Sequence, residues 1–288
     1  MPLEKVTNRT YGSINPSGGN AGIVVLDNQV VVVDSQFLSQ AKELRQEIER
    51  TTTKRIRFLL LTHSHSDHVF GNEVFRDCEI VAHQSLKTRM QELLSTTWSK
   101  ESLQKQIMEL KKTDPERASR FEGVQITLPT RVFDTDYRIV EKDLEVVMKH
   151  VGGHTHDSSI VYFPAEQVLF SGDLIFCQTF PYGGDPTADP DEWLQALRDI
   201  MKMPAKAIVP GHGPICDKRE VQKYIDFVEN VRNKMIGMIR EGRTAEEITK
   251  SEHYPMLYSK SADQRRQNTL VQWYNVWYAR HSKSPGAR

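Results

Sequence analysis

The string Thr62-His63-Ser64-His65-Ser66-Asp67-His68 follows directly on the apolar run Ile56–Leu61. No other feature limits the possible folds as strongly. The run has the length and character of a buried strand, and the string behind it is a polar loop. In an extended segment side chains alternate, so His63, His65 and Asp67 point the same way. His68 follows where the chain turns into a helix over about 69–75, and it approaches from another side. Imidazole nitrogens and carboxylate oxygens are the ligands that zinc prefers. The spacers Ser64 and Ser66 are too small to crowd an ion.

Further ligand candidates occupy similar positions, each behind a strand-length apolar run. Gly152-Gly153-His154-Thr155-His156-Asp157 places His154 beside glycines that permit close backbone approach. His156 in the same loop serves as a support or substrate contact, or as one more ligand. Ser171-Gly172-Asp173 follows the run Val168–Phe170, and His212 lies between Gly211 and Gly213 behind Ala207–Val209. Sorted by chemistry, His63, His65 and His154 make a three-histidine site, and Asp67, His68 and His212 a second set. Asp173 is left between them, and a carboxylate can bridge two cations roughly 3.5–4 Å apart. Each set leaves open positions, which marks catalytic rather than structural zinc. The expected cofactor is two zinc ions, although iron and manganese also suit such ligands.

The rest of the chain reads as alternating strands and helices. Ile23–Leu26 and Val30–Val33 flank an Asp27-Asn28 turn. Leu38, Ala41, Leu44 and Ile48 recur at helical spacing over about 39–52. Residues 84–121 read as an exposed helical insertion, with Leu103, Ile107 and Leu110 as its apolar rhythm. Short strands are expected at Glu79–Ala82, Gln125–Leu128, Arg131–Phe133, Tyr137–Val140, Leu144–His150 and Ile160–Phe163. Asp189-Pro190-Asp191-Glu192 starts a helix: Asp189 caps, Pro190 takes the first helical position, and Glu192 reaches back to the cap. Beyond Asp217 the chain is helical, with aromatics at Trp273, Tyr274 and Trp277 in the core. Residues 1–216 thus form one α/β domain and 217–288 a helical extension packed on it, with a frayed tail from Ser282.

Lys plus Arg equals Asp plus Glu at 38 each, so nothing in the charge balance calls for nucleic acid. No apolar run approaches the roughly 20 residues of a membrane span, and the N-terminus lacks a secretory pattern. The expected setting is the cytoplasm. Cys78, Cys177 and Cys216 are odd in number and form no Cys-x-x-Cys pair, so they read as reduced thiols. Cys177, four residues beyond Asp173, is a candidate wall of the site.

His-x-His-x-Asp-His, a Gly-Gly-His-Thr loop, Ser-Gly-Asp and Pro-Gly-His-Gly-Pro, in that order over about 20–215, resemble the metallo-β-lactamase superfamily with a glyoxalase II-like ligand pattern. The resemblance implies an αββα four-layer sandwich, followed here by C-terminal helices, with metals at one edge of the sheets and Asp173 as the bridging ligand. Several branches fit less well. One class of secreted β-lactamases carries Cys in place of Asp173. Flavodiiron relatives carry Glu in place of His65. Glyoxalase II-like thioesterases follow the last ligand with Glu-Tyr rather than Gly213-Pro214. Quorum-quenching lactonases have Tyr where this chain has Phe176.

The expected activity is metal-assisted hydrolysis of a small ester, thioester, lactone or amide, with a hydroxide shared between two metals. Asp67 orients the nucleophile and accepts its proton. Phe176, Phe180 and Tyr182 line the substrate pocket, with His156 beside them. The helices after Asp217 cover one side of the cleft or form a homodimer surface. A phosphodiesterase or nuclease with the same metals, or a di-iron redox protein, are the alternatives. Fold alone does not choose among them.

Overall fold

The computed structural model describes residues 2–258 and 263–282, so the tail beyond Ser282 lies outside the described residues. Two sheets pack face to face. The first holds seven strands in chain order: β1 (Glu4–Lys5), β2 (Thr10–Ser13), β3 (Ala21–Val25), β4 (Gln29–Val33), β5 (Arg55–Leu60), β6 (Glu79–His83) and β7 (Arg131–Phe133). β1 to β4 form an antiparallel meander, and β4 to β7 run parallel. The second sheet has the order β12-β11-β10-β9-β8, from β8 (Asp136–Glu141), β9 (Leu144–His150), β10 (Ser159–Phe163), β11 (Val168–Phe176) and β12 (Ala207–His212).

Side-chain alternation explains why the strands read as unbroken apolar runs. In β4, Val31 and Val33 enter the core between the sheets, whereas Val30 and Val32 face the helices outside. Leu60 likewise faces inward and Leu59 outward. Strands β10 to β12 repeat the pattern, with Val161, Phe170 and Val209 inward and Ile160, Leu169 and Ile208 outward. Both faces are covered, so each position rewards an apolar residue. Full burial of one such side chain is worth roughly 1.5–3 kcal/mol.

Helix α1 (Leu38–Thr51) lays Ala41, Leu44 and Ile48 on the first sheet, and the short α2 (Ser66–Val69) opens directly out of the histidine string. The insertion contains α3 (Gln84–Leu94), α4 (Lys100–Thr113) and α5 (Pro115–Ser119). It is not merely exposed. Leu86, Met90 and Phe121 join the outer core, and the Phe121 ring stands 5.8 Å from that of Phe37. Gln125–Leu128 is not a strand: Gln125 N–H donates to Glu73 and Asn72 donates to the Thr127 carbonyl, so this segment is tied to side chains instead of to a ladder.

The second sheet is covered by α6 (Pro190–Lys202), α7 (Lys218–Arg240), the single-turn α8 (Ala245–Ile248) and α9 (Asp263–His281). Asp189 caps α6 through the amides of Asp191 and Glu192, but Glu192 does not return the bond: its carboxylate lies toward Gly152. Trp193, Tyr224, Trp273 and Trp277 are fully buried between these helices and the sheet. The result is the four-layer αββα sandwich with C-terminal helices. Among the described residues no helix is long and apolar enough to cross a membrane.

Candidate metal centre

The ligand candidates converge at one edge of the sandwich, where β5, β9, β11 and β12 or the segments behind them end. Two groups lie there, His63, His65, His154 and Asp173 in one and Asp67, His68 and His212 in the other, and within each group the ligand atoms are no more than 4.8 Å apart. Their delivery differs in part from simple alternation. His65 is the last extended residue, and α2 begins at Ser66, so Asp67 stands on the first turn of a helix rather than in line with the two histidines. Asp173 is not in a loop. It lies inside β11, where register shifts on either side of Gly172 break the ladder to β12 and turn its carboxylate into the cluster. His212 is the last residue of β12.

The three imidazoles of the first group form a tripod. Ring centroids of His63, His65 and His154 are 4.8–4.9 Å apart, and the ring planes stand at 77–90° to one another. His65 Nδ1 and His154 Nε2 lie 3.0 Å apart. Asp173 reaches both groups, with oxygens 3.6 Å from His63 Nε2, 3.5 Å from His154 Nε2, 3.1 Å from His68 Nε2 and 3.2 Å from His212 Nε2. Asp67 lies 3.4 Å from His212 Nε2. His63 Nε2, His68 Nε2 and Asp173 Oδ1 are shielded from solvent and make no hydrogen bond. Buried polar atoms ordinarily find partners. Lone pairs that converge without them fit a metal-ligand set.

Outward-facing atoms of the ligands are held by residues the sequence reading did not single out. Asp34 accepts from Thr62 N and Thr62 Oγ1, both at 2.7 Å, and lies 2.8 Å from His68 Nδ1. Thr62 Oγ1 is also 3.0 Å from His63 Nδ1. Asp185, from the loop behind β11, lies 3.1 Å from His65 Nε2. Such partners orient imidazole ligands and raise their basicity. Asn20 fastens the β2–β3 loop to the last ligand, through donation to the carbonyls of Pro210 and Gly213. Gly211 is required here, because a β-carbon would fall 2.0 Å from Asp173 Oδ1. Asp34 carried one sequence signal, a carboxylate closing a fully apolar strand. Asp185 carried none.

Electrostatics separate the groups. Burial favours the neutral forms of His63 and His154, and both imidazoles sit below their ordinary range, His154 well below. Burial acts on His68 too, but Asp173 and Asp34 outweigh it and raise it well above that range. His65 is opposed by burial and raised on balance by its bond to Asp185. Asp173 is desolvated, yet His212, His68 and His63 hold its carboxyl well below the usual range.

The other expected site residues are more dispersed. His156 points into solvent, outside the cluster, while its backbone carbonyl accepts from His150 and its amide donates to Thr187. Phe176 is buried behind the ligands, its ring stacked on His212 at 4.9 Å and 2°. Phe180 is fully buried against Phe227, so it is core and not cleft wall. Tyr182 is half-buried, with its ring 6.1 Å from that of His65.

A family model described as the metallo-beta-lactamase superfamily matches residues 14–212. The chain belongs to that superfamily and is a hydrolase with a His/Asp metal-binding cluster. It is 23% identical over 273 residues to a beta-lactamase-like protein 2 homolog of Caenorhabditis elegans, covering 90% of this chain and 80% of the relative. It is 22% identical to a linear primary-alkylsulfatase of a Pseudomonas species, covering 78% of this chain but 48% of that protein. Among solved structures, a metallo-beta-lactamase from Pontibacter korlensis superposes with a TM-score of 0.59 at 20% identity, over 79% of this chain and 98% of its own. A sec-alkyl sulfatase double mutant superposes with a TM-score of 0.73 at 14% identity, over 96% of this chain and 50% of its own.

Proposed function

We propose that this chain holds two metal ions, zinc by the chemistry of its donors, and hydrolyses a small ester, thioester, lactone or amide of β-lactam-like size. The observation that carries the reading is the position of Asp173, within 3.6 Å of a histidine nitrogen from each group. Two dications held there would lower the pKa of a bound water toward about 7 and polarise the bond to be cleaved.

The chain's own residues do the rest. His63, His65 and His154 would hold one ion with Asp173 as the only carboxylate of their group, and that ion would polarise a substrate oxygen. Asp67, His68 and His212 would hold the second ion, which would steady the leaving group. Asp67 is half-buried at the open side of the cluster, where it orients the attacking water and accepts its proton. Asp173, within reach of both groups, would offset with its charge the repulsion between two ions. Tyr182 presents a half-buried ring to substrate beside His65.

A second reading, sulfate-ester hydrolysis, draws on one observation: the likeness to the sec-alkyl sulfatase spans 96% of this chain, whereas that to the Pontibacter enzyme spans 79%. A single experiment separates the readings. Metal content is measured on the sample used to compare a chromogenic ester, lactone, phosphodiester and sulfate ester. Close to two ions per chain and preferential carboxylic-ester or lactone turnover are expected. Preference for the sulfate or phosphate ester replaces the substrate class, and full turnover after chelation overturns the metal mechanism.

A further inference from the structure

The segment 181–189, just before α6, meets the metal centre on one side and α9 on the other. Toward the centre, Asp185 lies 3.1 Å from His65 Nε2, and its own position is fixed by Thr187, whose amide and hydroxyl donate to Asp185 Oδ1 at 2.8 and 2.6 Å. Thr187 Oγ1 also accepts from the His156 amide at 3.2 Å, and the Asp189 amide donates to the Gly153 carbonyl at 2.9 Å. The segment is therefore bonded both to His65 and to the loop that carries His154.

On its other side the same segment is bonded to α9. Thr269, fully buried, accepts from the Gly183 amide at 2.9 Å and turns its hydroxyl to the carbonyls of Pro181, at 3.2 Å, and Arg265, at 3.0 Å. Bonding back to the carbonyl four residues earlier is ordinary for a helical threonine; the bonds to Gly183 and Pro181 are not. Gln272 donates to the carbonyls of Pro186 and Ala188, both at 3.2 Å, and Arg280 Nη1 donates to Asp189 at 3.0 Å. The fit is close, for a β-carbon on Gly183 would lie 2.7 Å from Trp273 Nε1 and 3.0 Å from Thr269 Cγ2. Helix α9 lies wholly beyond residue 212, where the match to the family model ends.

We propose that α9 braces the metal centre, with Thr269 and Gln272 as positioning residues that hold the 181–189 segment so that Asp185 meets His65. Asp185 sits on a connection without helix or strand. A support on such a connection reaches its partner only at the entropic cost of ordering the chain around it. Bonds at residues 181, 183, 186 and 188, on both sides of Asp185, impose that order in advance. Thr269 and Gln272 act through Asp185 and touch no ligand themselves. The proposal rests on the reading of His65 as a metal ligand.

Zinc is titrated calorimetrically into the full chain after metal removal, and the melting temperature of each variant is recorded beside it. Thr269→Val keeps the shape but leaves the Gly183 amide without an acceptor. It is expected to weaken one of the two ions by about threefold, short of the roughly tenfold loss expected when Asp185 itself is removed. Thr269→Ser restores the acceptor and with it the affinity. Leu270→Ala, an apolar neighbour buried on α9, lowers the melting temperature and leaves both ions as they were. In the double variant with Asp185→Ala, Thr269→Val adds no further loss, because no carboxylate remains to be aimed. Gln272→Ala, at a partly exposed position, repeats the cycle where Thr269→Val fails to fold. Unchanged zinc affinity in the folded variants overturns the brace. So do losses that add to that of Asp185→Ala, or an equal loss in Leu270→Ala. A wild-type chain that takes up no zinc overturns the proposed function and the brace with it, so the wild-type titration tells the two failures apart.

Discussion

The two ligand groups face the same space but are built differently. In the first, His63 and His154 are fully buried and uncharged, and His65 is steadied by Asp185 from a distant loop. In the second, Asp67 brings a carboxylate besides the shared Asp173, His212 and Asp67 reach toward solvent, and His68 is steadied by Asp34 from the adjacent strand. One group relies on rigidity and desolvation, the other on charge. Asp173 alone serves both, so the clearest ways to test the contrast begin there.

Asp173→Asn keeps the shape and removes the charge. The cations then repel with less compensation, and the ion of Asp67, His68 and His212 is expected to leave first because it sits in the more open pocket. Turnover should fall at least about tenfold, ~1.4 kcal/mol in the barrier. Metal stoichiometry with circular dichroism checks this. Two tightly held ions and near-normal turnover would show that the groups do not depend on a shared carboxylate.

Removing the outer supports should separate the groups with a smaller effect. Asp34→Asn loosens His68, and Asp185→Asn loosens His65. Each should weaken metal binding by roughly tenfold, the lower end of what such partners contribute. The distinguishing readout is which ion is lost: the second group's for Asp34→Asn and the first group's for Asp185→Asn. Loss of the same ion from both variants would dissolve the distinction.

The smallest expected effect is in pH. In the metal-free protein His68 is raised above 6.5 while His63 and His154 are lowered. A raised histidine stabilises the fold fully below its ordinary pKa, and that contribution is lost as pH climbs through the raised value. Metal entering the second group must displace this proton, so its affinity should rise with pH, by up to about tenfold per unit, until the raised value is passed. The depressed Asp173 acts in the opposite direction: its contribution is present above the usual carboxylate range and is lost as acid titrates it. Calorimetric metal titrations at several pH values check the contrast. An equal pH slope for both ions would remove it.

Much of this was legible in the chain because ligand chemistry and strand periodicity are local. The string from His63 to His68 announces a metal-binding cluster, since few other uses exist for such donors at such spacing. The valines of β4 announce a strand covered on both faces, and Asp189-Pro190 announces the start of α6. Other features were hidden because they depend on what approaches from elsewhere. The Asp173 segment reads as a loop after Phe170, yet it is a bulged strand, because β12 pairs alongside and the ladder slips around Gly172. Phe180 reads equally well as a cleft wall or as core, and only the arrival of α7 with Phe227 decides for core.

The amino-acid sequence by itself determined which donor atoms are on offer, since a residue's donor chemistry travels with it. The tertiary structure alone decided which donors stand together in one group and which carboxylates stand behind them. Those are facts of distance between segments remote in the chain, and distance is set by how the two sheets and their helical layers pack.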